Sequence, residues 1–181
     1  PMDTSIKSRA KLIYSQFSNA PVLEMVQYMV DQHIDAQLLH QLKLLDMKAH
    51  KNPHVKSYAD RVYNMYERVC KVLVTYPSLE FKGNTFCIIK DKDAQFAKEY
   101  FGANTKRHMA RIEWLIKLAN LGLSQSLESN DTAFEWIQNI VQDEEDVDML
   151  SMFLVEVTGE NYRDTVQLGL FSDLNEVLPM T

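Results

Sequence analysis

Lys106, Arg107, His108 and Arg111 put four cationic or protonatable side chains close together, beside the hydrogen-bonding pair Asn104 and Thr105. Groups of this kind neutralise phosphate oxygens and hold a protein in register on nucleic acid. A second cluster has the opposite sign: Asp143, Glu144, Glu145, Asp146 and Asp148 offer carboxylates to a basic partner. That run lacks the glycine and the alternation of a calcium loop. Acidic residues also favour a helix N-terminus, so a solvated first turn is the plain structural alternative. A third pattern, Asp46, His50 and His54, is spaced by four and would gather metal ligands on one face of a continuous helix. Pro53 interrupts the spacing, so the helix is expected to end before His54, and no metal site is assigned. His33 and His40 read as surface or partly buried histidines.

Glu80-Phe81-Lys82 resembles the acidic-x-Lys element of some metal-dependent nucleases, in which carboxylates bind Mg²⁺ and the lysine assists the attacking water. Such a site also needs an Asp on a neighbouring strand, and the nearest upstream one, Asp60, falls on a predicted helix. The chain has no phosphate-binding Gly-rich loop, dinucleotide fingerprint or GxSxG, and no Cys-His pair in a recognisable context. Cys70 and Cys87 lack CxxC context and read as small buried hydrophobes. The expectation is a protein with no catalytic residues and no cofactor.

The elements that must position these clusters are mostly helices. Among 181 residues, 46% are apolar and 24% charged, an ordinary globular balance, while five Gly and five Pro are too few for a turn-dense β-sandwich. Behind a Thr4 or Ser5 cap, Ile6, Ala10, Ile13 and Phe17 have helical spacing over residues 4 to 18, and Pro21 suits the first turn of a helix with Val22, Met25, Val26, Met29 and Val30 on one stripe. Asp35 can cap a third helix through about His50. Residues 57 to 76 give the cleanest pattern, with Ala59, Val62, Tyr66, Val69 and Leu73 on one face. After Pro77, two β-prone runs flank Lys82-Gly83-Asn84, which predicts a hairpin over about residues 79–89. Asp93 can cap a helix to Phe101, and Thr105 opens another that runs to Leu121 before Gly122. A polar linker from Ser124 precedes helices at 132–142 and 146–158, although MFLVEVT alone could be a strand, and a last helical region follows Gly159. The fold class predicted is a mainly α, multi-helix globular protein with one small β-hairpin.

Charge divides the chain. Residues 1–123 hold eighteen basic and twelve acidic residues, whereas 124–181 hold Arg163 against thirteen acidic ones. The first stretch reads as a basic helical part and the second as an acidic helical part, which can belong to the same folding unit. Residues 93–123 place a short helix, a Gly-containing turn and a longer helix in the order of a helix-turn-helix. In Ala97, Gly102 and the closing LANLGL the segment resembles helix-turn-helix regulators, although Ala97 and Gly102 are five apart where four is common. The resemblance implies that Lys106, Arg107 and Arg111 occupy the exposed start of a recognition helix.

The leading expectation is a non-enzymatic regulator that binds DNA through this segment. The alternative is an adaptor, inhibitor or scaffold acting through its acidic C-terminal surface, by mimicry of DNA charge in one form. No stretch reaches the roughly 18 to 20 apolar residues a spanning helix needs, and the start of the chain lacks a secretory signal, so a cytosolic protein without a membrane partner is expected. Pro1 before Met2 reads as a remnant of tag cleavage, which makes Met2 the expected start. Self-association stays open.

Overall fold

In a computed structural model the described residues are 4–17, 20–49, 53–103 and 108–177. They form helices α1 (Thr4–Tyr14), α2 (Val22–Asp31), α3 (Ala36–Lys48) and α4 (Pro53–Thr75), strands β1 (Leu79–Lys82) and β2 (Thr85–Ile88), and helix α5 (Asp93–Phe101). A 3₁₀ turn (Met109–Arg111), α6 (Ile112–Ser124), α7 (Asp131–Ile140), α8 (Glu144–Thr158) and α9 (Arg163–Val177) follow. The mainly α class with one small hairpin is thus what the chain adopts.

Two compact units divide at Cys70 and Lys71, within α4. In residues 1–70, α1 packs on α3. The core is made by Ala10 and Ile13, by Met25, Val26 and Met29, by Leu38 and Leu42, and by the α4 stripe Ala59, Val62, Tyr66 and Val69. Asp35 caps α3, its side chain accepting from Leu38 N at 2.8 Å. Two tyrosine hydroxyls tie these elements together: buried Tyr66 donates to Ile34 O at 2.6 Å and half-buried Tyr14 to Asp46 Oδ1 at 3.0 Å.

Residues 71–181 form the second unit. Gly83 (φ 61°) and Asn84 (φ 64°) both take left-handed backbone at the hairpin tip, the requirement of a type I′ turn. The register that results pairs Phe81 with Phe86, whose rings meet edge to face at 5.2 Å. Asn120 of α6 fixes the hairpin from below: its carboxamide accepts from Phe86 N (2.7 Å) and donates to Phe86 O (3.0 Å). Helix α6 packs on α7 and α8, and α9 packs on the same two. Asn130 and Asp143 cap α7 and α8, accepting from Ala133 N at 3.1 Å and Asp146 N at 2.9 Å. Gly159 ends α8 in the left-handed conformation.

Several expectations are corrected. The predicted start of the longer helix at Thr105 lies outside the described residues, and the α-helix that follows the 3₁₀ turn does not stop at Leu121 but continues through Gly122 to Ser124. Gly122 is no terminator. A Cβ there would lie 2.9 Å from Thr158 Cγ2, so glycine is what lets α6 approach α8. Asp93 is the first residue of α5 and Lys92 occupies the capping position. Cys70 and Cys87 are half-buried, not core residues.

Candidate functional site

Asn104, Thr105, Lys106 and Arg107 lie outside the described residues, as does His50. The remaining members of the predicted basic surface are inside the fold. His108 stacks on Phe101 with ring centroids 4.2 Å apart and 14° between the planes. Arg111 is only 4% exposed. One of its terminal nitrogens donates to Asp146 Oδ2 at 2.7 Å and to Ile140 O at 2.9 Å, and the other donates to Gln142 Oε1. Asp146, 5% exposed, also accepts from Gln142 N at 2.9 Å. A lone buried guanidinium or carboxylate would cost several kcal/mol, so each is tolerated because it faces the other and has further polar partners in Ile140 O and Gln142. Arg111 therefore ties the C-terminus of α7 to the first turn of α8 and presents nothing to a phosphate. The first turn of α6 carries Glu113.

The acidic cluster divides in the same way. Asp146 is the buried partner of Arg111, and Asp143 is spent on capping α8. Asp148 is exposed but pairs with Arg163 at 2.6 Å. Glu144 and Glu145 point to solvent in the first turn of α8, where the helix dipole stabilises them.

What the sequence does not single out is the outward face of α8. Val147, Leu150, Leu154 and Val157 are buried on the inner side, which leaves Glu145, Asp148, Met149, Met152, Val155 and Glu156 together at helical spacing. Met152 is 68% exposed and Val155 44%. Beside them a small cavity of about 160 Å³ is lined by Tyr76, Tyr100, Phe153, Met149, Met152 and Glu156. The rings form a corner. Phe153 meets Tyr76 at 5.7 Å and Tyr100 at 5.3 Å, nearly perpendicular to both, and the two tyrosines lie 6.0 Å apart. Burial pushes Tyr76 up to about 12, helped by the charges of Glu156 and Glu99, and pushes Tyr100 well above the ordinary tyrosine range. Both hydroxyls are neutral at physiological pH. The sequence carries no direct signal for it, because a helix nearly apolar all round does not reveal which part of its surface is left without an internal partner.

Other clefts lie elsewhere among the described residues. One of about 510 Å³ lies between the end of the hairpin and the start of α6, with Ile88, Met109, Ile112 and Ile116 on its walls. On its rim, beside Asp93, Lys117 pairs with Glu113 at 2.9 Å and sits 4.7 Å over the Trp114 ring. Another, of about 450 Å³ between α1 and α3, has Lys7, Lys11 and Lys48 around a floor of Ala10, Leu44 and Leu45. Glu80 and Lys82 pair with each other at 3.5 Å on the hairpin. Among the described residues no group of three His, Cys, Asp or Glu is placed to hold a metal ion, and no helix is long and apolar enough to cross a membrane. No protein-family model, curated protein or solved structure matches this chain. The functional reading rests on its own side chains.

Proposed function

We propose that the chain is a non-enzymatic protein-interaction module whose binding surface is the outward face of α8. The observation that carries this reading is the exposure of Met152 and Val155 beside Glu145 and Glu156 on a helix whose opposite face is packed. Exposed apolar side chains flanked by carboxylates suit a partner with the complementary pattern, here a basic amphipathic segment. Methionines suit such a surface because a thioether chain adapts to the shape it meets.

The second reading keeps nucleic acid as partner and moves the contact. It is favoured by Lys7, Lys11 and Lys48 around the groove between α1 and α3. A displayed peptide library selected on the full chain separates the two. Enriched peptides should combine lysine or arginine with large apolar residues and lose at least tenfold in affinity for the Met152→Asp, Val155→Asp variant, whose circular dichroism should match the parent. Equal affinity for both proteins would remove α8 from the interface. Tight duplex-DNA binding that Lys7→Glu and Lys11→Glu abolish would transfer support to the nucleic-acid reading.

A further inference from the structure

The cavity beside Met152 has a chemistry more specific than the face around it. Its walls are three aromatic rings, two thioethers and one carboxylate. The Tyr100 hydroxyl and Glu156 Oε2 are both withdrawn from solvent and have no hydrogen-bond partner among the described residues. Ring faces carry negative potential and attract cations, Trp and Tyr more strongly than Phe. A carboxylate oxygen shielded from water and without a donor is an unmet electrostatic demand of the kind that burial usually forbids.

Size narrows the occupant. Cavities for whole small-molecule ligands are about 300–1,000 Å³, and this one, at about 160 Å³, holds the end of one side chain. Hydrogen bonding narrows it again. Glu156 Oε2 and Tyr100 Oη can both accept, so the cation should carry N–H groups. A quaternary ammonium would gain the ring attraction and leave both oxygens unsatisfied. A primary ammonium has three donors on a flexible apolar stem, and the stem matches walls made by Met149, Met152 and Phe153.

We infer that the Tyr76, Tyr100, Phe153 and Glu156 cavity is a receptor for a primary ammonium group, the ε-ammonium of a lysine on the partner's basic segment. This rests on the reading of α8 as the interface and names the anchor within it. Glu156 and the Tyr100 oxygen accept its protons, the rings of Tyr76 and Tyr100 supply the cation attraction, and the two methionines close over the alkyl stem. Buried aromatic anchors of this kind carry most of the binding energy in interfaces that are otherwise energetically flat.

The test uses the full chain and no partner protein. n-Butylammonium, n-butanol and tetramethylammonium are titrated separately while the methyl signals of Met149 and Met152 are followed by NMR. n-Butylammonium should give saturable shifts at both methionines, with affinity at least tenfold above that of n-butanol and above that of tetramethylammonium. Glu156→Gln should weaken n-butylammonium at least tenfold and Tyr100→Phe severalfold. Butanol binding as tightly as butylammonium, tetramethylammonium binding tightest, or no saturable shift would each overturn the assignment. Because the three probes are compared on the unaltered protein, the result does not depend on how either variant folds. Failure here with peptides still lost on Met152→Asp, Val155→Asp would sink the ammonium receptor alone. Saturation here with peptides unaffected by that variant would sink the α8 interface.

Discussion

At the scale of single residues, Arg111 shows how far charge alone can mislead. Its position among Lys106, Arg107 and His108 predicts a phosphate contact, and its partner lies 35 residues away at Asp146. Removing one member of a buried ion pair strands the other in a medium that cannot solvate it, a loss of about 3–5 kcal/mol. Arg111→Ala should therefore lower the urea midpoint strongly, where a solvated arginine would move stability by less than about 0.5 kcal/mol. Replacing both partners, Arg111→Met with Asp146→Leu, should cost less than either single loss, because no charge is then left behind. A midpoint unchanged in Arg111→Ala would return this side chain to the surface.

Elements were the readable level. The helical spacing of Val62, Tyr66 and Val69, the Asp35 cap, and the Lys82-Gly83-Asn84 turn all depend on residues within one or two turns of each other, and all reappear in the fold. What spacing cannot encode is which outward face another element will cover. Arg111 sits on the polar side of its helix by spacing, yet the junction of α7 and α8 closes over it. Met152 and Val155 sit in an apolar run that predicts deep burial, yet both are exposed. Gly122 illustrates the same blindness. Alanine has the better helix propensity by about 1 kcal/mol, but overpacking costs about 1–3 kcal/mol. Thr158 cannot rotate its methyl aside without breaking its hydroxyl bond to Leu154 O at 2.6 Å. Gly122→Ala should thus be net destabilising in thermal melts, and Thr158→Ser, which deletes only the obstructing methyl, should restore most of the loss. No rescue would mean that the close approach of α6 and α8 is not what selects glycine.

Over the whole molecule the recurrent polar device is the buried tyrosine. Burial and the hydrogen bond to Asp46 push Tyr14 up to about 12, burial and nearby carboxylates do the same for Tyr76, and burial drives Tyr63, Tyr66 and Tyr100 upward as well. A raised folded-state value favours the protonated hydroxyl. Its stabilisation is complete below the ordinary tyrosine value of about 10 and fades as pH climbs through about 12. Urea midpoints should hold up to about pH 10 and then fall steeply, with tyrosinate absorbance at 295 nm rising in step with unfolding. Absorbance that rises while the fold persists would show these hydroxyls to be solvent-accessible.

Helix α4 has a consequence of another kind. The division between the two compact units falls at Cys70 and Lys71, inside a helix that runs unbroken from Pro53 to Thr75. Most modular chains join their parts by an extended segment, which proteases thread into their active sites and which genetic fusions exploit. This chain offers no such thread at its seam: a protease must first melt several turns of α4 to cut there, and a gene split at that point would leave each half with a severed helix end and unsatisfied backbone groups.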